Sequence, residues 1–323
     1  MKIVVQKYGG SSVKNIEMLE HVCYKIKEKI DKGYRVVAVV SAQGKTTDML
    51  LKKSKEYGGR KNSQELDMLL ATGELSSAAL LTMFLNNKKI NAVAFSGGDC
   101  GIITDSTYGA ANIKGIYPEK IIKELENNNV VVACGFQGVD KNGYITTLGR
   151  GGSDLTATSL AKVLKAEICE IYSDIDGIYT ADPRQIENAK LLPEISFNEM
   201  LELSSAGAKV MHSGSVRAFK DSKGKLYIKN TSKKENKGTE VIDSYDIPNM
   251  QVKITKKDNI SKITIVGEGY ISKPKQVEKI TKILSENNID VYMIQISEIS
   301  VSILLDTESS LDLIKILHNK FNE

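Results

Sequence analysis

Short runs rich in Val and Ile alternate with helix-length segments along most of this chain. Lys2–Gln6, Arg35–Ala42, Asn91–Ser96, Val130–Phe136, Glu167–Tyr172 and Lys225–Asn230 read as strands. Between them Ile16–Ile30, Gln64–Asn86 and the segment after Gly152 read as helices, with Ala71–Glu74 interrupting the second. Such alternation builds βαβ units, hence an α/β fold with a mostly parallel sheet between two helical layers. Ile102–Tyr117 reads as a small hairpin excursion from this plan. Ligands of such sheets sit outside the carboxyl ends of the strands, so those ends are where chemistry is expected.

The residues found there are suited to an anion. After the first strand comes Lys7-Tyr8-Gly9-Gly10-Ser11-Ser12, a glycine turn into a helix with a lysine at the strand end. After the second come Ser41, Thr46 and Thr47. The Gly44-Lys45-Thr46 step is not a P-loop, because that motif needs glycine at position 39, which is Val39. Gly149, Gly151 and Gly152 surround Arg150 ahead of Ser153, Asp154 and a helix. Glycines admit close backbone approach, Ser153 or Asp154 is expected to cap the helix, and Arg150 offers a fork for carboxylate or phosphate. Ser173, Asp174, Asp176, Tyr179, Asp182, Pro183 and Arg184 crowd the loop after Tyr172, a set that suits a nucleotide as well as a polar turn. Glu74 beside Gly73 reads equally as a crevice residue and as a solvated helix glutamate. Ser196–Lys220 reads as two helices joined at Gly207, with Lys209 opening the second.

A length of 323 residues suits two domains. Thr231–Pro248 reads as a polar linker. Beyond it Ile260–Gly267, Lys275–Asn287, Ile289–Ile296, Ile299–Leu305 and Ser309–Asn319 run β-α-β-β-α, a small α+β domain of ferredoxin-like type. A net charge of +4 with lysines spread along the chain argues against nucleic acid as a partner. Cys23, Cys100, Cys134 and Cys169 are far apart and form no CxxC, so neither a metal site nor a disulfide is expected. No apolar run reaches the ~20 residues of a membrane span, and the chain starts on a strand without a leader-like segment. A cytoplasmic location without membrane partners is expected.

Six strings, VVQKYGGSSV (Val4–Val13), VVSAQGKTTD (Val39–Asp48), LLATGE (Leu69–Glu74), ITTLGRGGSDLTA (Ile145–Ala157), IYSDIDGIYTADPR (Ile171–Arg184) and SFNEMLELSSAGAKVMH (Ser196–His212), together resemble aspartate kinase. They occur in that family's order and cover most of residues 1–242. The resemblance implies the three-layer α/β/α sandwich of amino-acid kinases. It implies transfer of the γ-phosphoryl of ATP to the β-carboxylate of L-aspartate, with Mg²⁺ on the nucleotide and no metal held by protein alone. The product is 4-phospho-L-aspartate, at the head of lysine (diaminopimelate), threonine and methionine biosynthesis.

Position by position, the resemblance implies that Lys7, Tyr8, Gly9 and Gly10 cradle the transferring phosphate. It puts Ser173, Asp174 and the run Tyr179–Arg184, with Asp182, Pro183 and Arg184, on ATP. Ser41, Thr47, Glu74, Arg150, Gly151, Gly152, Ser153 and Asp154 then form the aspartate site, Arg150 on the α-carboxylate and Glu74 near the ammonium. Lys7, Asp154 and Lys209 become the catalytic set, Lys209 also reaching the ATP phosphates from the opposite side and Asp154 organising the two lysines. A related acceptor such as glutamate and a non-catalytic amino-acid sensor are the alternatives.

The C-terminal region, with IDVYMIQISEISVSILLD (Ile289–Asp306), resembles an ACT domain, giving domains of 1–242 (kinase) and 250–323 (ACT) and a homodimer paired through the latter. Family members usually carry two ACT domains. The interval between Gly238–Ile242 and Ile263–Gly269 is too short for another, which leaves lysine or threonine inhibition open. Gly98-Asp99 and Ser213-Gly214 also depart from the family's pattern.

Overall fold

The computed structural model describes residues 1–206, 210–244, 250–257 and 259–322. The first elements are β1 (Ile3–Tyr8), α1 (Ile16–Asp31), β2 (Arg35–Val40), α2 (Thr46–Glu56), α3 (Gln64–Asn87), β3 (Ala92–Phe95), β4 (Ile102–Thr104), β5 (Ile113–Ile116) and α4 (Glu119–Glu126). There follow β6 (Val130–Cys134), β7 (Gln137–Val139), β8 (Ile145–Thr147), α5 (Gly152–Val163), β9 (Ile168–Ser173), β10 (Glu194–Ser196), α6 (Phe197–Ser205), α7 (Ser213–Lys220) and β11 (Lys225–Asn230). The last are β12 (Thr239–Ile242), β13 (Gln251–Lys257), β14 (Ile260–Val266), α8 (Pro274–Glu286), β15 (Val291–Ile296), β16 (Ser300–Asp306) and α9 (Thr307–Asn322).

The chain divides into two compact units, Met1–Asp176 with Gly214–Lys237, and Gly177–Ser213 with Gly238–Glu323. In the first, β11, β9, β1, β2, β6 and β3 lie side by side, every pair parallel. Alternation along β1 sorts its side chains between the two faces. Val4 and Tyr8 join Leu19, Val22 and Ile26 of α1 and Leu81 and Leu85 of α3 in one buried cluster. Lys7, one residue out of phase, reaches Asp154 of α5. Helices therefore cover both faces, the expected three-layer sandwich. The hairpin β4–β5 forms as read, and a second small sheet runs β5-β4-β7-β8.

Helix α3 runs unbroken through Gly73, against the expected interruption. A Cβ on Gly73 would stand 2.7 Å from that of Ala42, so the glycine permits close packing rather than a break. By length and apolarity this helix qualifies as a membrane span, against the expectation of none. In the fold it packs on β3, β6 and β8. It also buries Asp67 and Glu74 as hydrogen-bond acceptors, which places it in the core.

In the second unit β13, β14, β16 and β15 form an antiparallel sheet in that order. α8 and α9 pack against each other and lend Ile280, Ile283, Leu284, Leu313, Ile314 and Leu317 to its core. The β-α-β-β-α order holds from β14 onward, with β13 added in front. β10 and β12 pair in parallel. β12 lies inside the stretch expected to be linker, and is short enough (four residues) to escape a pattern search.

Candidate active site

The glycine turn after β1 is fixed from below. Ser12 N–H donates to Gly9 O at 2.8 Å, and Gly9 N–H to Tyr172 O at 3.2 Å. A Cβ on Gly10 would meet Ala42 O at 2.6 Å, so the turn and the segment after β2 lie back to back. Gly44 N–H seals them by donating to Gly10 O at 3.0 Å. Ser12 Oγ and Thr231 Oγ1 are hydrogen-bonded at 2.7 Å, tying the turn to the end of β11. Lys7 stands over this turn with Nζ 2.6 Å from Asp154 Oδ1, both side chains mostly shielded from water. Tyr8 points the other way. Its ring is wholly buried and stacked on Tyr172 at 5.1 Å, leaving only its backbone near the turn.

The opposite wall is the start of α5. Gly149 (φ 72°) and Gly151 (φ 74°) hold left-handed conformations that disfavour other residues. Gly151 is the N-cap and no side chain caps the helix, so the expected cap by Ser153 or Asp154 is not formed. Ser153 and Asp154 are the second and third residues of the helix, in its first turn. The consequence is chemical: helix-start N–H groups that a cap would consume are left for a ligand, backed by the positive end of the helix dipole. A Cβ on Gly152 would stand 2.8 Å from Phe136 Cδ2, and Phe136 itself has φ 69°. Left-handed backbone at such a residue costs about 1–3 kcal/mol. Here its N–H donates to Thr156 Oγ1 at 3.1 Å and its C=O accepts from Leu148 N–H at 2.8 Å. Asp67 anchors the loop entry, accepting from Thr147 N–H (2.6 Å), Thr147 Oγ1 (2.9 Å) and Gly109 N–H (3.0 Å).

Glu74 closes a third side. Its Oε1 accepts from Ala42 N–H at 2.9 Å, while Oε2 is buried without a hydrogen-bond partner. Burial raises this carboxyl to about 7, against the lowering effect of the Ala42 N–H. Lys7, Gly10, Ser41, Thr47, Glu74, Arg150, Gly151, Gly152, Ser153 and Asp154 together line one cleft of about 300 Å³, and Phe136 joins them. Arg150 is exposed at its mouth. Sequence reasoning missed Phe136 and Asp67. Nothing in a lone Phe or a helix Asp marks such a role, although Gly135-Phe136 at a strand end is a position to inspect.

Ser173 and Asp174 lie at the end of β9, in the same unit. Asn230 Nδ2 donates to Asp174 O (3.2 Å) and to Asp176 Oδ1 (2.8 Å), and Lys233 pairs with Asp176 at 2.7 Å. Tyr179, Asp182, Pro183 and Arg184 belong to the second unit. There Arg184 clasps Asp182 through Nε (3.0 Å) and Nη2 (2.8 Å), which holds the Asp182 carboxyl below its ordinary range. Lys209 lies outside the described residues.

The Amino acid kinase family model matches residues 2–230 and an ACT domain model matches residues 263–321. An aspartokinase of Geobacillus stearothermophilus is 34% identical over 396 aligned positions, covering 99% of this chain and 97% of its own. That of Helicobacter pylori is 40% identical over 298, covering 90% and 73%. The chain belongs to the aspartokinase family. It is an ATP-dependent aspartate kinase with a C-terminal ACT domain, an enzyme of amino-acid biosynthesis. The crystal structure of Escherichia coli aspartokinase III in complex with aspartate and ADP superposes with a TM-score of 0.71 at 26% identity, over 96% of this chain and 80% of that one. The Geobacillus alignment is longer than this chain's 323 residues. That relative therefore carries residues within the aligned span that have no counterpart in the present kinase.

Proposed function

We propose that the cleft between Lys7, Glu74, Arg150 and Asp154 holds L-aspartate with its β-carboxylate facing the γ-phosphate of ATP. The convergence of a lysine, an arginine, an unpaired buried carboxylate oxygen and an uncapped helix start on one cleft carries this reading. Arg150 takes the α-carboxylate as a two-pronged donor. Glu74 Oε2 takes the ammonium, which satisfies its missing partner. Ser41, Thr47 and Ser153 supply neutral hydrogen bonds that set the orientation. Tyr8 contributes backbone alone.

The attacking β-carboxylate is ionised at neutral pH, so no general base is needed. The barrier is lowered by alignment and by charge neutralisation of the transferring group. Lys7 supplies the cation on the phosphate, and the amides of Gly9, Gly10 and the α5 start supply fixed dipoles. Asp154 holds the Lys7 ammonium in place and is assigned the same task for Lys209. Ser173, Asp174, Tyr179, Asp182, Pro183 and Arg184 are assigned to the nucleotide. Among the described residues no group of three or more His, Cys, Asp or Glu could hold a metal, and this lysine-and-amide lining suits phosphate oxygens better than a bare cation. Mg²⁺ would therefore enter on ATP, neutralising its phosphates, with exposed Asp174 offered to its water shell.

We further assign the kinase to the first step shared by lysine (diaminopimelate), threonine and methionine synthesis, to the cytoplasm and to a homodimer, with 1–242 as the catalytic and 250–323 as the ACT domain. Edge strand β15 exposes Tyr292, Met293 and Ile296, an uncharged edge of the kind a second copy covers. Steady-state kinetics of two variants test the site. Lys7→Met should lower kcat by roughly 10²–10³-fold with little change in KM for aspartate, the scale of a lost transition-state contact. Arg150→Ala should chiefly raise KM for aspartate. Parental kinetics in both would remove the assignment.

A further inference from the structure

The run Tyr179–Arg184 is folded into the ACT-containing unit. Ala181 and Ile186 are buried in the same apolar cluster as Val252, Ile263, Leu313 and Leu317. Between Tyr179 and Ala181, Thr180 is 3% exposed and its groups are engaged by other segments. Its C=O accepts from Val252 N–H of β13 at 2.8 Å, and its Oγ1 accepts from Lys190 N–H at 2.9 Å. The same Oγ1 is hydrogen-bonded at 2.8 Å to Nε2 of His318, on α9. Next to it, Asn188 Nδ2 donates to Asn319 Oδ1 at 2.9 Å.

His318 is 1% exposed and its Nδ1 is buried without a hydrogen-bond partner. An imidazole so placed costs stability relative to an apolar side chain. Packing alone does not account for it, whereas its bond to Thr180 fixes the backbone two residues before Asp182.

We propose that His318 is a positioning residue for the nucleotide: through Thr180 it holds Tyr179–Arg184 in the conformation that receives ATP. This rests on the reading that Tyr179, Asp182, Pro183 and Arg184 contact ATP. It makes the last helix of the ACT domain part of the apparatus that sets nucleotide affinity.

The test is KM for ATP and for aspartate in the full-length kinase carrying His318→Leu, His318→Gln, Thr180→Val or Asp182→Ala. Thermal unfolding monitors the fold, and Thr180→Val, nearly isosteric, decides if His318→Leu does not fold. His318→Leu should raise KM for ATP about fivefold, the order one lost hydrogen bond gives, and Thr180→Val, which also loses the bond from Lys190 N–H, at least as much, with kcat and KM for aspartate within twofold. His318→Gln, which can place an amide near Nε2, should return KM for ATP toward the parental value. A merely structural role would lower thermal stability without separating the two KM values. If Asp182→Ala raises KM for ATP while Thr180→Val and His318→Leu do not, the positioning role is wrong. If Asp182→Ala also leaves it unchanged, the nucleotide reading of this run falls, and the proposal with it.

Discussion

At the scale of single residues, Glu74 makes the most specific claim. Its carboxyl is brought to about 7 by burial, with one oxygen satisfied by Ala42 N–H and the other unpaired. The proposed substrate ammonium binds only the ionised form. As pH falls below 7 the group takes up a proton, so kcat/KM for aspartate should fall toward a tenfold loss per pH unit. Above 7 it should be flat. Glu74→Gln should have a lower but pH-independent value across pH 6–8. A wild-type profile that is flat through this range would separate Glu74 from substrate binding. From the sequence Glu74 was only an even choice between crevice and solvent. What decided it was Gly73, whose missing side chain lets α3 approach Ala42, a contact between segments that no local pattern records.

Among elements, the strand ends were legible because buried parallel strands are short apolar runs and their turns are rich in glycine. Lys7 at the end of β1 and Ser41 after β2 were legible on that basis, whereas Arg150 follows β8 and stood out only through the glycines around it. The three-residue strands β7 and β8 were not, since two or three alternating residues carry no periodicity. The cap of α5 was misread for a related reason. Ser153 and Asp154 have capping side chains, but two left-handed glycines before them shift the helix start, and Gly151 takes the cap position. The loop they form is steered from a distance by Asp67, which binds Thr147 twice and Gly109 once. Asp67→Ala strands the two buried donors of Thr147 and the part-buried N–H of Gly109 and should cost about 3 kcal/mol of stability, read as a lowered denaturant midpoint, and should weaken aspartate binding. An unchanged midpoint would show that β8 and its loop need no such anchor.

For the whole molecule, the sandwich and the C-terminal antiparallel sheet followed from the alternation of strands and helices and from the β-α-β-β-α order. The division of the chain between the two units did not. Residues 177–213 return to the C-terminal unit because Ala181 and Ile186 find their apolar partners there, partners more than 60 residues away in sequence. A fragment ending at residue 242 would expose that apolar surface. It should aggregate or lose kinase activity, as sedimentation and ATP turnover would show. A monodisperse, fully active fragment would mean that residues 177–213 fold without the ACT region.

The central claim is that one cleft aligns aspartate with ATP. Acyl-phosphate formation trapped with hydroxylamine, comparing L-aspartate with L-glutamate at equal ATP and Mg²⁺, tests it most directly. The account predicts ATP-dependent hydroxamate with L-aspartate and little with L-glutamate, whose extra methylene moves the reacting carboxylate out of line. Equal product from both amino acids, or none from L-aspartate, would contradict it.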